Sequence, residues 1–129
     1  MAKNKEEKTN VMRTLEQKKI PYIPHAYDPD GPMDGVSVAR TLGQDPARGF
    51  KTLVARGASK ALYVFDIPVG DTLDLKKAAR AVGEKSIAML PQKELLSNTG
   101  YVHGGCSPVG MKKQYPTVFH ETAEILDTI

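Results

Sequence analysis

The run Thr99–Lys113 (Thr-Gly-Tyr-Val-His-Gly-Gly-Cys-Ser-Pro-Val-Gly-Met-Lys-Lys) restricts what this chain can fold into more than any other stretch. It holds four of the eleven glycines, one of three histidines, the single cysteine, and a serine beside a proline. Glycine loses more chain entropy on ordering than other residues, and proline donates no backbone hydrogen bond, so the run predicts a loop. Regular elements must be arranged before and after it. The loop either connects two strands or bares its backbone so that a ligand can approach closely.

Periodicity supplies the elements. Val11, Met12 and Leu15 recur at helical spacing within Thr9–Lys19 and predict an amphipathic helix. Residues 20–27 carry Pro21 and Pro24, which confine them to an edge or irregular strand. Residues 28–35 are rich in Asp, Pro and Gly and predict a loop. A second helix is expected over Val36–Leu42, stopped by Gly43, then one turn capped by Asp45 with Pro46 at its first position. Phe50–Ala55 and Ala61–Ile67 read as a hairpin turning through Arg56–Lys60. Alternation sets Lys51 on one face with Leu53 and Ala55, where it caps an apolar rim or enters a pocket. Asp74 caps a helix carrying Leu75, Ala78, Ala79 and Val82 on one face and ending at Gly83. A short strand over Ser86–Leu90, a helix opened by Pro91 and reaching about Leu96, and strands over Pro116–His120 and Glu124–Ile129 complete the reading. The expected class is α/β with a mixed sheet in one domain spanning residues 1–129. The apolar, strand-like Glu124–Ile129 predicts a domain interrupted at that point.

Charge and cysteine count narrow the function classes. No apolar run approaches the ~20 residues of a membrane span, and the charged N-terminus is not followed by a signal-peptide core. One cysteine excludes an internal disulfide framework, which points to the cytoplasm. The net charge of +3 is unevenly spread, with residues 1–19 and 51–115 basic and the last fourteen acidic. That balance suits a small anionic partner or one phosphate-bearing end of a nucleic acid, not a long duplex.

The loop does not match the familiar catalytic motifs. Gly105 to Gly110 has the glycine spacing of a P-loop, but Met111 follows where lysine is required, and Pro108 removes a cradling N–H. Gly105-Cys106-Ser107-Pro108-Val109-Gly110 is one residue too long for a nucleophile elbow. His25, His103 and His120 lack metal-ligand spacing, and Cys106 has no C-x-x-C companion. A reactive Cys106 stays open, beside the commoner fate of a buried inert thiol. What remains is a loop of N–H donors suited to a carbonyl oxygen, a ribose or a phosphate, and to charge developing on an ester.

Phe50–Val54, Leu73–Ala79 and Thr99–Gly110 followed by Lys112-Lys113, taken together, closely resemble the YbaK family of trans-editing aminoacyl-tRNA deacylases. These are relatives of the editing domain inserted in bacterial prolyl-tRNA synthetases. The resemblance runs from about Val11 onward, with Gly104–Pro108 fitting the G-x-x-x-P signature and Lys51 the characteristic strand lysine. It implies a mixed, barrel-like sheet surrounded by helices, and hydrolysis of mischarged Cys-tRNA(Pro) without metal or cofactor. The substrate's own thiol would attack its ester carbonyl. Lys51 would hold the terminal adenosine and its ribose–phosphate, and Tyr22 would line the pocket. The backbone of Gly104, Gly105, Cys106, Ser107 and Pro108 would fix the ester carbonyl and sugar. Gly100 and Tyr101 would complete the binding side, with Cys106 incidental to the chemistry. The implied partners are the acceptor end of mischarged tRNA and, transiently, prolyl-tRNA synthetase. Family members continue past Ile129 with a part that completes the sheet. Sister branches act on Ala-tRNA(Pro) or other misacylated tRNAs. A non-catalytic module holding a tRNA end or nucleotide, and a redox protein acting through Cys106, are the competing readings.

Overall fold

The computed structural model describes residues 8–26, 31 and 34–129. Its sheet is built on a long hairpin, β1 (Phe50–Gly57) and β2 (Leu62–Pro68), in which Val54 faces Val64 and Thr52 faces Asp66 across the ladder. β3 (Ile87–Met89) pairs antiparallel with β1, and β4 (Thr117–Phe119) pairs parallel with β2. The order β3-β1-β2-β4 makes a mixed sheet, as expected, but an open one. The barrel-like closure is not seen among the described residues: their four strands, two of them only three residues long, cannot tilt far enough to meet edge to edge.

The helices form where their caps allow. α1 (Asn10–Gln17) starts at Thr9, whose side chain accepts from the Met12 amide. α2 (Gly35–Thr41) starts at Asp34, and Gly43 beyond its end has φ +71°. Asp45 caps a 3-10 turn, Pro46–Arg48, leading directly into β1. α3 (Leu75–Val82) begins at Asp74, which accepts from the Lys76 and Lys77 amides, and stops at left-handed Gly83. α4 (Gln92–Thr99) runs one turn beyond the expected Leu96, and Gly100 at φ +85° ends it.

Two expectations are corrected. Residues 20–26 form no strand, because Pro21 and Pro24 each leave a ladder position without a donor. Tyr27 and most of the Asp/Pro/Gly loop lie outside the described residues. Glu124–Ile129 is not a strand either. The His120 imidazole accepts from the Thr122 amide and nucleates a 3-10 helix, Glu121–Glu124. Ile125 follows, 81% exposed, and Leu126 is only partly buried, so the apolar pattern there forms no strand face.

The pleat of the hairpin gives the sheet two cores. On one face Ala55, Phe65 and Ile87 pack against Ala78 and Ala79 of α3, two small side chains that let the helix sit close. On the other, Val54 and Val64 pack with Leu90 and with Leu95 of α4, and Cys106, Met111 and Tyr115 close over them. The glycine-rich loop is therefore the outer layer of the second face.

Candidate active site

The loop is pinned at both ends. Thr99, 1% exposed, bonds through its hydroxyl to the Leu95 carbonyl and accepts from the Tyr101 amide. Its carbonyl accepts from the Lys112 amide at 2.9 Å. The Tyr101 hydroxyl donates to the Val109 carbonyl at 2.6 Å, drawing the two arms together. α1 clasps the same point: Asn10 Nδ2 donates to the Gly110 carbonyl at 2.7 Å and to the Tyr101 hydroxyl. Gly110 has φ +76°, and a Cβ there would come within 2.5 Å of Asn10 Nδ2, so this position requires glycine twice over. Residues 101–110 thus form a compact loop with fixed feet.

Its tip is open. Gly104 has φ +84° and free space where a Cβ would stand. The Gly105 amide folds back onto the Val102 carbonyl, and Ser107 Oγ accepts from the Val109 amide around Pro108. The amides of Gly104 and Cys106 donate to no acceptor among the described residues. Backbone donors with no internal partner are what an anion or a polarised carbonyl needs.

Cys106 points inward and is half-buried. Burial pushes its thiol above the ordinary value, and the negative charge of Asp66 adds to the effect. Hydrogen bonding to Thr99 and the Ser107 amide pulls the other way. A thiol held in its neutral form is a poor nucleophile and a poor redox centre.

Beneath the loop lies a group that periodicity did not single out. Asp66, 3% exposed, accepts from Thr52 Oγ1 at 2.6 Å through Oδ1, while Oδ2 has no partner among the described residues. Burial raises its pKa to about 6, with the Thr52 bond acting against the shift. The signal was an acid inside the apolar run Tyr63-Val64-Phe65-Asp66-Ile67.

The nominated site residues are brought together only in part. Gly100, Tyr101, Gly104, Gly105, Cys106, Ser107 and Pro108 share the loop. Tyr22 stands at the side of α1, its hydroxyl donating to Glu16, which lies about 9 Å along the helix from Asn10. Lys51 is not on the loop face. It pairs in register with Ile67, and alternation gives it the α3 side along with Ala55. It sits second in β1, at the end of the sheet, and forms no ion pair among the described residues. A cavity of about 560 Å³ opens on that α3 side, floored by Phe65, Ile67 and Val118 and rimmed by Asp74, Lys77 and His120. It contains none of the nominated residues, and the loop with its free donors is the stronger candidate.

Residues 33–129 match a family described as the aminoacyl-tRNA editing domain. A protein of Enterococcus faecalis named as the Cys-tRNA(Pro)/Cys-tRNA(Cys) deacylase EbsC is 47% identical over 126 residues, covering 96% of this chain and 77% of that protein. Among solved structures, one described as a trans-editing enzyme for prolyl tRNA synthetase superposes with TM-score 0.77 at 26% identity, over 88% of this chain and 71% of its own. A hypothetical protein at 18% identity shares the fold, with TM-score 0.77 over 88% of this chain and 75% of its own.

Proposed function

The chain belongs to the aminoacyl-tRNA editing domain family, and from that premise we propose that it is a trans-editing deacylase that hydrolyses mischarged Cys-tRNA(Pro). The observation that carries this reading is the 47% identity to the deacylase EbsC, which extends over 96% of the chain. Residues 1–129 act in this reading as one editing domain.

The loop supplies the means. In the proposed reaction the substrate sulfur, as thiolate, attacks the ester carbonyl carbon. The carbonyl oxygen takes up negative charge and is received by the Gly104 and Cys106 amides. The bond from that carbon to the ribose oxygen then breaks, the ribose hydroxyl regains a proton, and water opens the released thiolactone to cysteine. The protein contributes position and oriented donors, and the substrate contributes the nucleophile. Selectivity follows from the same step, because prolyl and alanyl esters carry no thiol.

Lys51 serves the terminal adenosine and its phosphate in this scheme. In this reading its flexible stem, second in β1 and near the end of the sheet, carries the ammonium to the rim to meet the incoming phosphate. Tyr22, bonded to Glu16 on α1, lines the pocket in this reading. The modest net charge of +3 suits weak tRNA binding completed by prolyl-tRNA synthetase.

The test is deacylation of Cys-tRNA(Pro) and Ala-tRNA(Pro), side by side. Loss of the cysteinyl ester alone is expected. Equal loss of the alanyl ester would remove the thiol mechanism, and stable esters of both kinds would leave a binding module. Lys51→Ala is expected to lower kcat/KM at least tenfold with the melting temperature unchanged.

A further inference from the structure

A loop of N–H donors explains how an ester carbonyl is held, but an aminoacyl ester also carries a cation. Its α-ammonium needs an acceptor within the same site, and the N–H groups that would hold the carbonyl oxygen cannot provide one. On the loop face Glu94 is taken up by Arg56 at 2.7 Å, and on α1 Glu16 is taken up by Lys8 at 2.7 Å. Asp66 differs. It is nine-tenths buried, it faces the underside of the loop where Cys106 lies within reach of its charge, and one of its oxygens is unpartnered among the described residues. Native proteins satisfy nearly all buried polar atoms, so an orphaned carboxylate oxygen calls for a partner that arrives with the ligand. Thr52 holds the other oxygen and thereby fixes the carboxylate plane.

We propose that Asp66 is the residue that reads the substrate's primary ammonium, receiving it on Oδ2 while the loop amides above receive the ester oxygen. The inference rests on the deacylase reading and adds to it a second pole. In this proposal the ammonium reaches Oδ2 from the side of the loop, where Gly104 leaves free space at the position of a Cβ. The raised pKa of Asp66 agrees with this: without a cation the charged form is costly, and a cation restores it. An amine-free thiol ester is therefore a poor substrate, because binding it leaves the carboxylate buried and unpaired.

The experiment compares Cys-tRNA(Pro) with the same tRNA charged with 3-mercaptopropionate, which keeps the thiol and the ester and lacks only the amine. Asp66→Asn retains the shape and the bond to Thr52. The native protein is expected to favour the cysteinyl ester, and the variant to lose about 10- to 100-fold in kcat/KM on that ester alone, bringing the two substrates close together. If the variant slows both esters equally, or neither, Asp66 does not read the amine and the proposal falls while the deacylase reading stands. If the native protein cleaves neither ester, the deacylase reading fails and takes the proposal with it. Asp66→Ser, measured in parallel, must show the same loss of preference.

Discussion

At the scale of single residues, Asp66 makes a prediction that does not depend on substrate. Its carboxyl titrates at about 6 in the fold against an ordinary 3.8, because burial disfavours the charged form. The folded state therefore holds a proton that the unfolded chain has released between those values. Stability contributed by this group is greatest below about pH 4 and is lost as pH rises through about 6. The difference corresponds to roughly 3 kcal/mol as an upper figure. Asp66→Asn is expected to melt several degrees higher than the native protein at pH 7.5 and at the same temperature near pH 4. Equal melting at pH 7.5 would mean that the charge is already compensated. Subtracting the two proteins removes the opposite slope of the paired carboxylates, Glu84 and Glu94 among them, whose values are lowered by Ser59 with Tyr63 and by Arg56 respectively. Alternation could assign Asp66 a face but not a depth. Depth depends on what covers that face, which here is a loop from forty residues further along. The pairing of Thr52 with Asp66 was equally hidden, since it needs the hairpin register.

At the scale of elements, the clasp between α1 and the loop is the part to break. Gly110→Ala introduces a side chain at φ +76° and against Asn10, Thr14 and the Tyr101 hydroxyl together. It is expected to cost about 1–3 kcal/mol in chemical denaturation, from the left-handed conformation and the lost bonds. Asn10→Ala should reproduce part of that loss with no strain, so a smaller effect from Gly110→Ala than from Asn10→Ala would contradict the clasp. The elements themselves were largely legible. Glycines at 43, 83 and 100 stop or follow helices in the left-handed region, and Asp45 and Asp74 cap where their spacing says they should. These signals are local, so they survive reading without a partner. Residues 20–26 and 124–129 misled because an apolar alternation looks the same whether or not an edge strand is there to receive it. The openness of the sheet was out of reach for that reason: closure is a property of which edges meet.

At the scale of the whole molecule, the loop's identity was legible from its motif and the side of the sheet on which it lies was not. Lys51 and the loop are separated by the sheet itself, a fact set by pleat parity in β1 and by which core each helix chose. The parallel pairing of β2 with β4 carries a further meaning when the molecule is considered in time. The β1–β2 hairpin closes over a short turn, so it is expected to gain protection early. β4 meets β2 only where residue 117 finds residue 64, after α3, β3, α4 and the whole loop have been laid down. Closing so long a segment is entropically expensive and slow. In pulse-labelling during refolding, the Gly57 amide bonded to Ala61 should be protected well before the Val64 amide, which waits for the Pro116 carbonyl. Simultaneous protection would refute that order. A refolding chain would then pass through a stage in which the hairpin is finished and the loop is not yet laid on its face, so that in the proposed reading the capacity to act on an ester arrives after the centre of the sheet.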